Sequence, residues 1–217
     1  ITECLSSSLD KNFIFNKQDC KNEMDVQYRI LNNYGLPLTA LLKALGISSQ
    51  FELSSGDNQV LFDPDLIWKI RDKENSALGL IIEVKPWWSF EIVENVVEQY
   101  KLDTEHLNIP DSTLVKALQQ LYGYMSYNYM RYGILTTYTC TYFLRRKGES
   151  TLCISKPNLI GPGILKCWLF VLFQAYQEGF YSSPTGNPFQ LRNQLPVPIR
   201  HKEVFFYSKK KRHHKYN

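Results

Sequence analysis

A carboxylate and an ammonium two residues apart at the end of an apolar strand can do hydrolytic chemistry, and Glu83-Val84-Lys85 supplies that pair directly after Leu80-Ile81-Ile82. Side chains alternate along a strand, so Glu83 and Lys85 project from one face while Val84 goes to the other. Eighteen residues upstream, Pro64-Asp65 lies on the partner arm of an expected hairpin, where a second carboxylate meets Glu83 across the strands. Two hard oxygen ligands then converge. That arrangement suits Mg²⁺, which takes one or two protein carboxylates, keeps several waters and leaves positions for phosphate oxygens. Lys85 would orient, or help deprotonate, the attacking water. A Glu-x-Lys triplet alone carries no information, but this one terminates a strand that reads as buried.

A third component is expected on a helix. Gln120 and Tyr124 are spaced i and i+4 and therefore stack on one face, and Lys116, Tyr127 and Arg131 extend the same stripe. Leu114, Leu118, Leu121 and Met125 occupy the opposite side and account for packing, which leaves the Gln-Tyr face to look toward the hairpin.

Asp65, Glu83-Val84-Lys85 and Gln120-x-x-x-Tyr124, in this order and in strand, strand and helix contexts, resemble the PD-(D/E)XK nuclease superfamily, nearest its RecB-like branch with the Q-x-x-x-Y element. The resemblance covers about residues 60–147. Leu121-Tyr122-Gly123-Tyr124-Met125, Arg131 through Tyr138 and Phe143-Leu144-Arg145-Arg146 are more narrowly similar to fungal PD-(D/E)XK domains, which occur in Crinkler-type secreted effectors and beside kinase-like domains. The resemblance implies a restriction-endonuclease-like αβββαβ core, dependence on Mg²⁺ or Mn²⁺, and phosphodiester hydrolysis, with DNA ranked ahead of RNA. Carried over residue by residue, Asp65 and Glu83 would be metal ligands, joined by the backbone carbonyl of Val84. Lys85 would be the catalytic lysine, and Gln120 and Tyr124 would steady the site. For the family's additional acid on the first helix the candidates are Glu23 first and Glu52 second. Asp63 and Asp57 compete with Asp65, because an even-numbered shift preserves the face of a strand. Asp65 ranks first because it directly follows the proline. The rival function is a nuclease fold with its acidic site unused, serving as a nucleic-acid or host-protein binding module.

The elements that must position these residues follow from pattern. Glu23 to Leu45 shows helical spacing interrupted by Gly35 and Pro37, and predicts two helices with a bend. Gln59–Ile70 and Leu78–Val84 predict a β-hairpin. Phe90 to Leu102 is amphipathic, and Asp111 or Ser112 opens a stronger helix that runs to about Arg131. Ile134–Tyr138, Thr141–Arg146 and Thr151–Ser155 read as short strands, and Ile164–Glu178 as a helix that is apolar almost all round and should be buried. The order indicates an α/β fold on a central mixed sheet flanked by helices.

The chain has 217 residues, 44% of them hydrophobic and 21% charged, which excludes a disordered or collagen-like protein and matches one large domain with extensions. We expect an arm over 1–22, a nuclease-like domain over 23–199 and a basic tail over 200–217. The net charge of +4 conceals a split: Arg200 to Asn217 holds seven Lys/Arg against one Glu, which leaves 18 Lys/Arg against 20 Asp/Glu in the rest. Lys209-Lys210-Lys211-Arg212 reads as a phosphate-attracting or nuclear-import patch. Lys116 and Arg131, with Arg145, Arg146 and Lys147 at a strand end, are the further expected nucleic-acid contacts. Trp87 and Trp88 could stack on bases, with core packing expected for at least one of them. Five cysteines without a C-x-x-C pair indicate neither a disulfide framework nor a zinc site, and suit a reducing compartment. His106, His201, His213 and His214 show no ligand spacing. The longest apolar run, Cys167 to Phe173, is too short to span a membrane. A chain opening at Ile1 reads as a mature protein or an excised domain.

Overall fold

The structure is a computed structural model that describes residues 20–54, 60–71, 76–105, 112–147 and 151–178. Helix α1 (Glu23–Ile30) starts on a capping box, in which the Asn22 side chain accepts from Asp25 N (3.0 Å) and Asp25 accepts from Asn22 N (3.2 Å). It passes through a π turn (Leu31–Gly35) into α2 (Leu36–Ala44). The expected bend is thus one wide turn in a continuous helical path. Pro37 lacks an N–H and its ring crowds the preceding turn, and a widened turn accommodates both.

Strand β1 (Ser49–Leu53) pairs antiparallel with β2 (Leu66–Arg71), and β2 pairs antiparallel with β3 (Ser76–Val84), the expected hairpin. Two helices, α3 (Val96–Glu105) and α4 (Thr113–Tyr127), carry the chain across one sheet face to β4 (Tyr132–Thr136), which runs parallel to β3. Ser112 caps α4 by accepting from Val115 N. Strand β5 (Cys140–Lys147) returns antiparallel to β4 and also pairs with β6 (Thr151–Ile154) and with β7 (Asn158–Leu159), before α5 (Ile164–Glu178). The result is a mixed sheet in the order β1-β2-β3-β4-β5-β6, flanked by helices on both faces. Helix α2, strands β1 to β3, helix α4 and strand β4 follow the αβββαβ order that the resemblance implies. Among the described residues no helix is long and apolar enough to cross a membrane.

The alternation of β3 decides what faces what. Leu80, Ile82 and Val84 join Leu66 and Trp68 in a core shared with α1, α2 and α5, while Ile81 packs with Leu114, Leu118 and Leu121 of α4. Glu83 and Lys85 have the parity of Ile81 and so lie on the α4 side. Helix α5 departs from expectation: Trp168, Val171, Leu172 and Ala175 are buried, but Phe170 and Tyr176 are exposed. An outer-layer helix buries one stripe, whatever the composition of the other.

The hairpin also carries a bulge. Trp68 registers with Leu80 and Lys69 with Leu78, so Gly79 is the extra residue of β3. A Cβ on Gly79 would stand 2.6 Å from Cε3 of the fully buried Trp68 ring. Because that fused ring has no free end to swing away, Gly79→Ala should destabilise the fold by ~1–3 kcal/mol. Urea melts would check this: the midpoint should fall at an unchanged m-value, and an unchanged midpoint would contradict the packing account.

Candidate active site at the β2–β3 hairpin

Asp65 precedes β2, and because Leu66 registers with Ile82, it stands opposite Glu83 one step further along. Its Oδ2 accepts a hydrogen bond from Val84 N at 2.7 Å, and its Oδ1 accepts from Gln27 Nε2 of α1 at 2.8 Å. Glu83 is wholly buried, with Oε1 paired to Lys85 Nζ at 2.5 Å and Oε2 without a hydrogen-bond partner among the described residues. Of the competing aspartates, Asp63 is exposed and its carboxylate accepts from Ser54 Oγ (3.1 Å). Asp57 lies outside the described residues. Glu52 is not on a helix: it sits in β1 and pairs with Lys69 (3.1 Å) and Arg71 (3.7 Å).

Gln120 and Tyr124 meet as the spacing predicts, with Gln120 Nε2 donating to Tyr124 Oη at 2.8 Å. The tyrosine hydroxyl in turn donates to the backbone carbonyl of Asp63 (3.3 Å), two residues before Asp65. Helix α4 is thereby fastened to the loop that delivers the first carboxylate.

The electrostatics are those of crowded acids. Burial, opposed by the Val84 hydrogen bond and Lys85, pushes the Asp65 carboxyl up to about 6, with Glu23 and Asp63 adding to the rise. Burial and then the Asp65 charge push Glu83 up to about 8, against Lys85. For Lys85 burial acts downward, but Glu83, Asp65 and Glu23 outweigh it and hold the ammonium above its ordinary range. Tyr124 is raised by burial first, and the charges of Glu83 and Asp65 add to that rise. Asp65, Glu83, Lys85, Tyr124 and Glu23 therefore share one local field.

A divalent cation fits this donor set. One buried oxygen of Glu83 lacks a partner, two carboxylates repel each other, and both relax if a positive charge stands between them. Val84 adds a third oxygen, since N–H and C=O of one strand residue point to the same edge and its N–H points to Asp65. Glu23 contributes charge but does not complete a triad: among the described residues no three His, Cys, Asp or Glu side chains group as a metal site. Two carboxylates, a carbonyl and waters match the habits of Mg²⁺.

A pH dependence follows from the sign of these shifts. Both carboxyls sit above the ~4 of an unfolded chain, so between about pH 4 and 8 the native state holds more protons than the unfolded one, and stability falls as pH rises through that window. Mg²⁺ held between Asp65 and Glu83 would compete with those protons. Its stabilising effect should be small at about pH 5 and grow to several degrees of Tm above about pH 8. Differential scanning fluorimetry with and without Mg²⁺ would check this; a shift independent of pH would contradict the pairing of Asp65 with Glu83.

The expected nucleic-acid contacts separate. Lys116 is exposed on α4, and Lys147 is exposed at the end of β5. Arg131 does not extend the Gln-Tyr stripe, because α4 ends at Tyr127 and the positive φ of Tyr129 (56°) turns the chain away. Instead Arg131 (2.7 Å) and Arg145 (3.3 Å) both pair with Glu178 of α5. Arg146 corrects the expectation of a phosphate contact: it is 1% exposed, and its Nη1 donates to the carbonyls of Met125 (3.2 Å) and Met130 (3.4 Å). Strand alternation turns Arg145 and Lys147 outward and Arg146 inward, where it satisfies carbonyls at and just beyond the end of α4. Lys209, Lys210, Lys211 and Arg212 lie outside the described residues.

Two residues that position the site escape the sequence reading. Gln27, one turn after Glu23, orients Asp65, and the i, i+4 spacing was its signal. Asn128, 8% exposed, accepts from Leu61 N (2.7 Å) and donates to Leu61 O (3.0 Å), clamping the loop before Asp65; nothing local in the sequence marks it.

No protein-family model and no curated protein sequence matches the chain. Among solved structures, the type IIG restriction endonuclease BpuSI matches at 13% identity and a TM-score of 0.43, over 79% of this chain and 19% of that one. The chain spans about a fifth of that structure's length. The assignment of a mixed α/β sheet with αβββαβ order rests on the strand pairing itself.

Proposed function

We propose that this chain is a Mg²⁺-dependent phosphodiesterase that hydrolyses DNA, a nuclease of the Q-x-x-x-Y branch of the PD-(D/E)XK superfamily. The observation that carries the reading is the convergence of Asp65 and Glu83 from adjacent strands beside Lys85, with Gln120 and Tyr124 fastened to the same loop. Asp65, Glu83 and the Val84 carbonyl would hold the ion, which when bound supplies Lewis acidity to the phosphate and to the attacking water. Lys85 stays charged between two carboxylates, so it offers hydrogen bonds to negative charge that develops on the phosphate rather than acting as a base. Gln27 holds Asp65 in one rotamer, and the Gln120–Tyr124 pair fixes the loop, so the ligands need no reorganisation on binding. The finer resemblance to fungal Crinkler-type effector domains adds a place of action, a host nucleus, to which Lys209-Lys210-Lys211-Arg212 would give access.

Incubation of supercoiled plasmid, and in parallel of circular single-stranded DNA, with the purified chain tests the reading. Nicked or linear product should form with Mg²⁺ or Mn²⁺ and not with EDTA. DNA binding without product in either metal would instead leave a binding module with an unused acidic site, and cleavage of RNA alone would move the substrate class.

A further inference from the structure

We propose that Phe62 stacks on a nucleobase beside the scissile phosphate, so that the substrate presents unstacked bases, as single-stranded DNA does. The inference deepens the nuclease reading and rests on it for the phosphate chemistry.

Phe62 is 47% exposed and holds a left-handed backbone at φ 66°, a conformation that costs energy in a bulky aromatic residue. The residues on either side are fastened to α4. Leu61 is gripped through its N–H and C=O by the buried Asn128, whose amide also donates to Tyr124 O (2.9 Å), and the Asp63 carbonyl accepts from Tyr124 Oη. Between two tethered neighbours, the backbone turns so that the ring is presented outward. Its inner edge rests on Tyr127, with centroids 4.7 Å apart, and its flank approaches Tyr124 at 6.3 Å and 30°. Tyr124 stands in the field of Asp65, Glu83 and Lys85, and Phe62 is three residues from Asp65, at most ~11 Å along the chain. The exposed ring and the Asp65–Glu83 pair are thus joined through Tyr124 and the short stretch that ends at Asp65.

Packing alone does not call for this arrangement, since a phenylalanine that served the core would not be half exposed on a strained backbone. A base within an intact duplex has both π-faces covered by its neighbours, whereas a base in a single strand offers a face to an aromatic ring. Trp88 supplies a second aromatic side chain near the site, three residues after Lys85. It is 50% exposed and meets Trp87 edge-on at 4.7 Å, while Trp87 packs against the core. Of the two tryptophans, one therefore serves packing as expected and one is presented to solvent.

The test uses the purified chain with Ca²⁺ in place of Mg²⁺, a fluorescent single-stranded DNA oligonucleotide of mixed sequence, and its duplex. Phe62→Asn tolerates the left-handed backbone, so the fold should persist with Tm within a few degrees of the parent. This variant should bind the single strand about tenfold more weakly and the duplex within about twofold of the parent. Phe62→Trp should restore single-strand affinity. A 2-aminopurine base in the oligonucleotide should be quenched by the parent and by Phe62→Trp, and not by Phe62→Asn. Equal losses on both DNAs, no loss on either, or quenching that survives Phe62→Asn would each overturn the inference. A parent that binds and quenches but does not cleave with Mg²⁺ keeps the stacking role and removes the nuclease reading. A parent that cleaves while Phe62→Asn binds single strands normally does the reverse.

Discussion

Asp65→Asn and Glu83→Gln should each abolish plasmid cleavage and leave the fold intact. Each replacement keeps the shape of the side chain and removes one negative charge from the site. A hydrated Mg²⁺ is held by only one or two protein carboxylates, so a single remaining one would lower its occupancy as well as the charge stabilisation it provides. A loss of ~10³-fold or more in rate, equivalent to ~4 kcal/mol of transition-state stabilisation, is the expected scale. The fold should not suffer, because each carboxyl is pushed up by burial and by its neighbours, and a neutral amide relieves the repulsion between them. Asp65→Asn retains an acceptor oxygen for Val84 N or Gln27, whereas Glu83→Gln strips Lys85 of its closest anion. Steady-state rates on supercoiled plasmid, with melting curves alongside, check both halves; parent-like cleavage by either variant would contradict the assignment of that residue.

Lys85→Met comes second in size. Lys85 lies 2.5 Å from Glu83 Oε1 and is held charged by the surrounding acids, so its loss removes a cation from where phosphate charge develops and leaves Glu83 with less reason to ionise. We expect kcat to fall by about 10²- to 10³-fold while DNA affinity changes by less than about threefold, since one lysine is a modest share of phosphate attraction. The Mg²⁺ requirement should also shift toward higher pH, because Glu83 without its ammonium partner protonates more readily. Single-turnover kinetics with a parallel binding titration separate the two effects. Equal losses in binding and turnover would make Lys85 a phosphate anchor instead.

Much of this arrangement was legible in the residues themselves, and the exceptions have physical causes. The run Leu80-Ile81-Ile82 marks a strand buried on both faces, so Glu83 and Lys85 at its end could be placed on one side before any pairing was known. Gln120 and Tyr124 obey a helical period and hydrogen-bond across it. Ser112 announces the start of α4, and Ile164–Glu178 matches α5 from end to end. The sequence pattern does not mark strand β1, because Ser49–Leu53 is short and mostly half-buried and shows little alternation. Extended character over Gln59–Ile70 resolves into a strand only from Leu66, since the stretch from Leu61 to Asp65 spends its polar groups on Asn128, Tyr124 and Ser54 rather than on a ladder. Helix α3 begins at Val96, later than Phe90 to Leu102 suggested, because Phe90 is a core residue outside the helix. Arg146 shows the limit most plainly. Three consecutive basic residues look like a phosphate grip, yet a strand cannot present all three outward, and whether the inward one finds carbonyls depends on where α4 ends in space. Gln27, Asn128 and the left-handed Phe62 belong to the same class, defined by partners distant in sequence.

The most direct test of the central claim is the position of a divalent ion. A crystal of the purified chain soaked in Mn²⁺ should show one anomalous peak bridging Asp65 and Glu83, beside the Val84 carbonyl, and the peak should vanish in Glu83→Gln. A well-ordered site that excludes the ion from these two carboxylates, or a peak that persists unchanged in Glu83→Gln, would contradict the account.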